Sequence, residues 1–194
     1  MSLILLGILN SQAAAAGGGA AYDLLETQIV STPASSLTFS SLDTLAADYK
    51  HLQVRASIQS NRNSGDDPMI MTFNNDTSTS YARHILYGNG SNVQASSQSS
   101  RTYIFVDGMA TTYGSSLAYS GLCLDILDFQ NTNKNTTTRI LTGFYGSSGN
   151  KHVMEHSGLY YKTDAITSIK FDFSLSGSSI NGGSRFSIYG IKGA

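Results

Sequence analysis

Apolar and polar residues alternate along this chain in short segments, and turn-forming Gly, Asn and Ser residues separate the segments. The clearest segment is 49–60, whose alternate apolar positions are Leu52, Val54, Ala56 and Ile58. A period of two places these side chains on one face of a β-strand, so the segment predicts a strand with one buried face. We find no amphipathic helical period in the sequence. The pattern therefore predicts an all-β protein.

Roughly ten such strand segments can be read along the chain. They are 37–39, 49–60, 69–73, 81–87, 101–107, 117–129, 136–145, 151–161, 166–173 and 185–192. Residues 41–48 have room for one or two helical turns, and 61–68 and 91–100 are predicted to be polar loops. Because long helical crossovers are missing, parallel βαβ units are excluded. The sequence predicts an antiparallel β-sandwich that is jelly-roll-like.

Charged residues are scarce in this polar chain. They make up 13% of the 194 residues, the net charge is -1, and the aromatic residues are 11 Tyr and 8 Phe without Trp. No basic stripe accompanies the aromatic residues, so we expect no nucleic-acid partner. The single Cys123 excludes a disulfide within the chain, and its apolar neighbours predict a buried, inert thiol.

The first 21 residues differ from the rest. Residues 1–9 are apolar, and an Ala/Gly-rich stretch follows them. The small residues after the apolar run are typical of a secretory signal, but no Lys or Arg precedes the run. The run is also far shorter than the ~20 residues that span a bilayer. We expect an extended N-terminal arm and hinge at 1–21, followed by one sandwich domain at 22–194.

The arm is predicted to contact another subunit through its apolar side chains. These are Leu3, Ile4, Leu5, Leu6, Ile8 and Leu9. A small sandwich does not need such a strip for its own core, and a flexible hinge lets it reach a neighbour. The tethered contact would add to the avidity of an assembly.

One string matches a zinc-protease motif. His152, Glu155 and His156 have the spacing H-x-x-E-H, which needs a helix so that both His residues reach one metal. The neighbouring residues favour a strand, on which the two His residues would lie about 13 Å apart. We predict no metal site there. No G-x-S-x-G elbow occurs, so we assign no catalytic residue, and nothing in the sequence calls for a cofactor.

Other titratable residues favour structural roles. His51 is expected on the polar face of its strand, whereas His84 shares the spacing of Ala82 and Leu86 and can be a core histidine. The acidic pair at 66–67 is expected to be solvated in a loop, with calcium binding as the less favoured alternative.

The tyrosines allow two interpretations. They are spread over strands and loop edges, at positions that include Tyr81, Tyr87, Tyr103, Tyr113, Tyr119, Tyr145, Tyr160 and Tyr161. A tyrosine combines an apolar ring with a polar tip, which suits protein interfaces and sugar platforms. For any one of them, a place at the edge of the core is the simpler interpretation.

A series of short motifs follows the chain from about residue 22 to the C-terminus. The motifs lie at 49–55, 74–76, 81–84, 86–91, 125–129, 132–136, 156–159 and 187–192. In this order they resemble a family of small virion proteins of tailed bacteriophages. Members are regarded as capsid decoration (cement) proteins or as tail-fibre components. The resemblance implies a jelly-roll-like domain, a homotrimer and no catalysis. It carries over no functional site.

These observations lead to one main hypothesis, a virion structural protein on the capsid surface that clamps major capsid subunits after assembly in the host cytoplasm. The alternative is a receptor-binding head of a tail fibre that recognises a host glycan through its tyrosines and the loops 61–68 and 91–100. A glycan hydrolase or lyase would need two carboxylates on adjoining strands, and the sequence does not indicate such a pair. We expect no membrane partner.

Overall fold

The computed structural model describes residues 22–113, 117–145 and 151–193. Within these ranges the chain forms twelve strands and one short helix. The strands are β1 (Asp23–Ile29), β2 (Ser36–Phe39), β3 (His51–Ile58), β4 (Asp66–Phe73), β5 (Tyr81–Gly88), β6 (Val93–Arg101), β7 (Ile104–Ala110), β8 (Ser120–Leu127), β9 (Thr136–Tyr145), β10 (Lys151–Tyr160), β11 (Ile169–Phe173) and β12 (Arg185–Ile191). The helix α1 spans Leu42–Leu45. The predicted all-β class is confirmed.

The strands form two antiparallel sheets. The large sheet has eight strands in the order β1-β12-β3-β8-β9-β10-β5-β6, and the small sheet has the order β2-β11-β4-β7. Every neighbouring pair within the two sheets is antiparallel. The antiparallel β-sandwich predicted from the sequence is confirmed.

The core lies between the sheets and uses the alternation seen in the sequence. In β3, Leu52 and Val54 are fully buried, whereas the next residue, Arg55, is exposed. Phe171 of the small sheet meets Phe186 of the large sheet, with 5.3 Å between the ring centroids. Each such buried side chain contributes about 1.5–3 kcal/mol relative to exposure. The buried side chains that this alternation places between the two sheets therefore hold the sheets together.

The large sheet extends past the small one on the side of β5 and β6. Only two residues of β6, Gln98 and Arg101, are partly buried, and its other side chains are exposed. A second, smaller core supports this side of the sheet and includes Ile85, Phe144 and Met154. The extension leaves the edge of the small sheet, strand β7, facing a recess.

Three sequence predictions about strands are corrected by the structure. Residues 91–100 were predicted to be a loop, but Val93–Arg101 is a strand whose Ser and Gln side chains are exposed on both faces, so no period of two marks it. Strand β1 was not predicted at all. Strand β4 begins at Asp66, inside the loop predicted for 61–68, because Asp67 points into the core.

Two tyrosines are core residues. The rings of Tyr81 and Tyr160 stack with centroids 4.9 Å apart. The Tyr81 hydroxyl accepts a hydrogen bond from the Phe73 amide at 3.1 Å and donates one to the Asp76 carbonyl at 3.0 Å. Burial raises the pKa of Tyr81 to about 12. These two side chains fit the core-edge interpretation, whereas Tyr145 is exposed.

Candidate functional site

The H-x-x-E-H string lies on strand β10, as its neighbours predicted. His152 and His156 point inward and Glu155 points outward. Strand geometry separates the two imidazoles by about 13 Å along the chain. Within the described ranges, no three His, Cys, Asp or Glu side chains are placed to hold one metal ion. The string therefore contributes strand residues in this fold.

His156 is fully buried beside an ion pair. Its Nδ1 lies 3.3 Å from Nη1 of Arg83, and the same Nη1 lies 2.5 Å from Oδ2 of Asp107. Desolvation lowers the pKa of His156 to about 4, although the Asp107 carboxylate acts in the opposite direction. The imidazole is therefore neutral at pH 7. Because the guanidinium can only donate, Nδ1 accepts its hydrogen bond and Nε2 carries the proton.

Asp107 reaches Arg83 from a strained backbone position. Its φ angle is 78°, and it lies at an irregularity in the pairing of β7 with β4. Such a conformation costs a non-glycine residue about 1–3 kcal/mol, so the surrounding structure must impose it. The Arg83 guanidinium also lies over the Phe105 ring, 4.4 Å from the centroid. The Asp107 carboxylate, the Phe105 ring and the His156 imidazole together fix Arg83 in one position.

A cleft of about 350 Å³ opens next to this cluster, and we call it the edge cleft. Its floor is the inner face of the extended large sheet, with apolar Ile85 and Met154, and its wall is the edge of the small sheet. The polar residues that line it are Asp66, Arg83, Tyr87, Ser96, Asp107 and His152.

The polar side chains of the edge cleft are held by their neighbours. A Cβ atom on Gly108 would lie 2.5 Å from Oδ2 of Asp66, so the glycine leaves room for that carboxylate. The His152 ring lies between the rings of Tyr87 and Phe144, at centroid distances of 5.9 and 5.6 Å. The cleft is therefore built from both sheets.

Sequence reasoning did not find this cleft and misplaced two of the side chains near it. A core position was the interpretation considered for His84, but it is exposed, because Arg83 takes the inward position. The acidic pair at 66–67 was expected to be solvated, but Asp67 is fully buried. Its Oδ2 accepts a 2.6 Å hydrogen bond from Ser60 Oγ, and its Oδ1 lies 3.9 Å from Arg62 Nη1.

The outer face of the large sheet carries a strip of exposed apolar side chains, which we call the apolar strip. Its members, with their exposed fractions, are Leu86 52%, Val93 76%, Leu141 53%, Tyr145 74% and Val153 63%. They come from the neighbouring strands β9, β10, β5 and β6 and point away from the small sheet. The strip is thus contiguous across four strands.

Glycines lower the surface between these side chains. Gly88 lies opposite Val153 on one side, and Gly143 lies opposite it on the other. Gly121 continues the row on β8, and a Cβ atom there would meet nothing within 4 Å. The glycines leave shallow space beside the apolar side chains, in which side chains of a partner can lie.

Few charges accompany the strip. Glu155 lies between Leu141 and Leu86 in the strand register, and Lys151 lies opposite Tyr145 with its Nζ 5.7 Å from the ring centroid. Arg139 and Asp125, one row further along, form an ion pair of 3.6 Å across two strands. Cys123 lies beside Leu141 and is partly exposed, so its predicted burial is wrong. Desolvation still raises the pKa of its thiol.

Residues 1–21 lie outside the described residues, and with them the predicted arm side chains Leu3, Ile4, Leu5, Leu6, Ile8 and Leu9. No helix within the described ranges is long and apolar enough to cross a membrane. His51, expected on a polar face, is partly exposed, and its Nδ1 accepts a 2.9 Å hydrogen bond from the Asp128 amide.

No protein-family model matches the chain, and no curated protein matches it. Within the described ranges, the apolar strip and the edge cleft are two surface features on which a function can rest.

Proposed function

We propose that this protein is a non-enzymatic virion structural protein that decorates a capsid and clamps its major capsid subunits. The observation that carries the proposal is the apolar strip, a contiguous outward-facing surface whose register includes the charged side chains Glu155 and Lys151. A contiguous exposed apolar patch of this kind is typical of a protein–protein interaction site.

The strip can supply the centre of an interface. Burying a large aliphatic side chain contributes up to about 1.5–3 kcal/mol, and several strip residues are more than half exposed. A stable interface needs about 800 Å² on each partner, more than the strip alone provides. The polar side chains of Ser97 and His84, one row beyond Leu86 on the same face, fit the wet polar rim of such an interface.

The strand order supports a jelly-roll domain. If the hairpins β5-β6 and β9-β10 are set aside, the sheets are β1-β12-β3-β8 and β2-β11-β4-β7. Consecutive strands then lie in opposite sheets, except β4 and β7, which pair within the small sheet, as expected for an eight-stranded jelly roll, an architecture found in viral capsid domains. In this proposal the two hairpins are insertions that widen one sheet and create the apolar strip.

The proposed assembly is a homotrimer bound to the major capsid protein. The apolar residues of the arm, 1–9, would provide a second contact with a neighbouring subunit, which would increase avidity through effective concentration. The low net charge of -1 limits repulsion between closely packed copies.

The deciding experiment is a copy-number measurement. Purified particles are analysed by quantitative mass spectrometry against the major capsid protein, and the proposal expects hundreds of copies per particle. A few to a few dozen copies would indicate the tail instead, and absence from particles would refute a virion role.

The contribution of the strip is tested with Leu141→Asp combined with Val153→Asp. Both side chains point to solvent, so we expect a folded protein that binds capsids at least ~10-fold more weakly, because a charge is buried without a partner. Leu175→Asp is the matched control, since Leu175 is 38% exposed and lies outside the strip. Equal occupancy by both variants would contradict the role of the strip.

A further inference from the structure

The edge cleft is assembled from strands of both sheets and is rigid at its wall. Asp107 is held in its strained conformation, and its carboxylate fixes Arg83 at 2.5 Å. Strained residues of this kind are concentrated at binding and catalytic sites. The proposed decoration role does not use this cluster, because the apolar strip is on the opposite face of the large sheet.

Polar groups in the cleft lack partners. Asp66 forms no ion pair within the described ranges. Nδ1 of His152 is buried and has no hydrogen-bond partner among the described residues. Ser96 adds a hydroxyl from the inner face of β6. Buried polar groups are nearly always paired in folded proteins, so a group left open beside a cleft points to a ligand.

The mixture of these groups selects the chemistry of the ligand. A carboxylate accepts hydrogen bonds, whereas an imidazole and a hydroxyl can each donate or accept. A ligand with several hydroxyls can satisfy all three. Because Arg83 and Asp107 pair with each other, the Asp66 carboxylate keeps its acceptor atoms for a ligand. The floor of Ile85 and Met154 offers an apolar surface to the C–H face of a ring.

We propose that the edge cleft binds one pyranose unit of a neutral glycan, with Asp66 and His152 hydrogen-bonding its hydroxyls and Tyr87 flanking its ring. The volume of about 350 Å³ is at the lower end of the range for small-molecule sites and suits a single sugar unit. The cleft would let a virion protein adhere to a polysaccharide surface.

The test is titration of the isotope-labelled full chain with methyl glycosides of glucose, galactose, mannose and N-acetylglucosamine, followed by NMR. We expect at least one to bind with a dissociation constant of about 1 mM, with shift changes at Ser96, His152 and Gly108. Asp66→Asn should weaken binding ~10-fold, because it removes a charge-assisted hydrogen bond. Asp172→Asn is the matched control on the far side of the small sheet and should leave the affinity unchanged.

A second variant keeps the test informative if Asp66→Asn fails to fold. Gly108→Ala places a methyl group where the Asp66 carboxylate lies, so it should displace that side chain and weaken binding without altering charge. The proposal is overturned if none of the glycosides binds at about 20 mM. It is also overturned if Asp66→Asn and Gly108→Ala bind like the parent chain, or if N-acetyl-lysine methylamide binds in their place. Failure here would leave the decoration role, and its copy-number test, unaffected.

Discussion

Arg83 faces inward from β5, at a position where the alternation of the strand would place an apolar side chain. It is compatible with the interior because its charge is matched by Asp107 and its planar face lies on Phe105. A buried pair of this kind costs desolvation and adds little net stability, but losing one partner is expensive. His156 is the third member of this arrangement and remains neutral because it is desolvated.

His156 should make stability depend on pH. Its pKa is lowered from 6.5 to about 4 in the folded chain, so between these values the unfolded chain binds more protons. The contribution of neutral His156 to the free energy of unfolding is complete above pH 6.5 and is lost as the pH falls towards 4. Chemical unfolding at pH 7 and pH 4 should show a loss of about 2–3 kcal/mol from this group.

His156→Gln is the control for this pH dependence, because Gln keeps an acceptor for Arg83 but does not titrate. The variant should lose less stability between pH 7 and pH 4 than the parent chain. An identical slope of unfolding free energy against pH in both proteins would show that His156 is not the responsible group.

Strands β8 and β12 each contain a glycine, and the space around the two glycines differs. A methyl group on Gly190 of β12 would overlap the Tyr49 ring, so the glycine makes room for that side chain. A methyl group on Gly121 of β8 would meet nothing within 4 Å. The first glycine serves the packing of this chain, and the second leaves space on the outer face of the large sheet.

The two glycines should therefore respond in opposite ways to alanine. Gly190→Ala should lower the unfolding free energy by about 1–3 kcal/mol through overpacking. Gly121→Ala should leave it unchanged or raise it by up to ~1 kcal/mol, since it restricts the unfolded chain. Urea unfolding of both variants checks this, and a destabilised Gly121→Ala variant would mean that the outer face is packed by this chain itself.

The sequence was a good guide to the elements that bury one face. Strands such as β3, β11 and β12 were predicted because Leu52, Phe171 and Phe186 alternate with polar residues. Strand β6 was missed because an edge strand exposed on both faces has no reason to alternate. The edge cleft was missed for another reason, since Asp66, Asp107 and His152 are distant in sequence and meet only through the pairing of both sheets.

At the scale of the whole molecule, one sheet serves two surfaces. The inner face of the extended large sheet forms the floor of the edge cleft, and its outer face carries the apolar strip. Side chains of successive residues, such as Tyr87 and Leu86, point to opposite sides of this sheet. Strand alternation makes this possible without conflict. A protein that attaches to a shell on one side can thus keep a small-molecule site on the other.

The arm should matter for assembly and not for folding of the sandwich. The hydrophobic residues that form or pack against the described cores begin at Leu25, so removal of 1–21 should leave the urea midpoint unchanged. Occupancy on particles should fall ~100-fold, because a tethered second contact is lost. Leu5→Ser combined with Leu6→Ser keeps the length of the arm and removes apolar surface, so it should reproduce most of this loss. If both variants bind particles as the parent chain does, the arm is no anchor and the apolar strip must hold the protein alone.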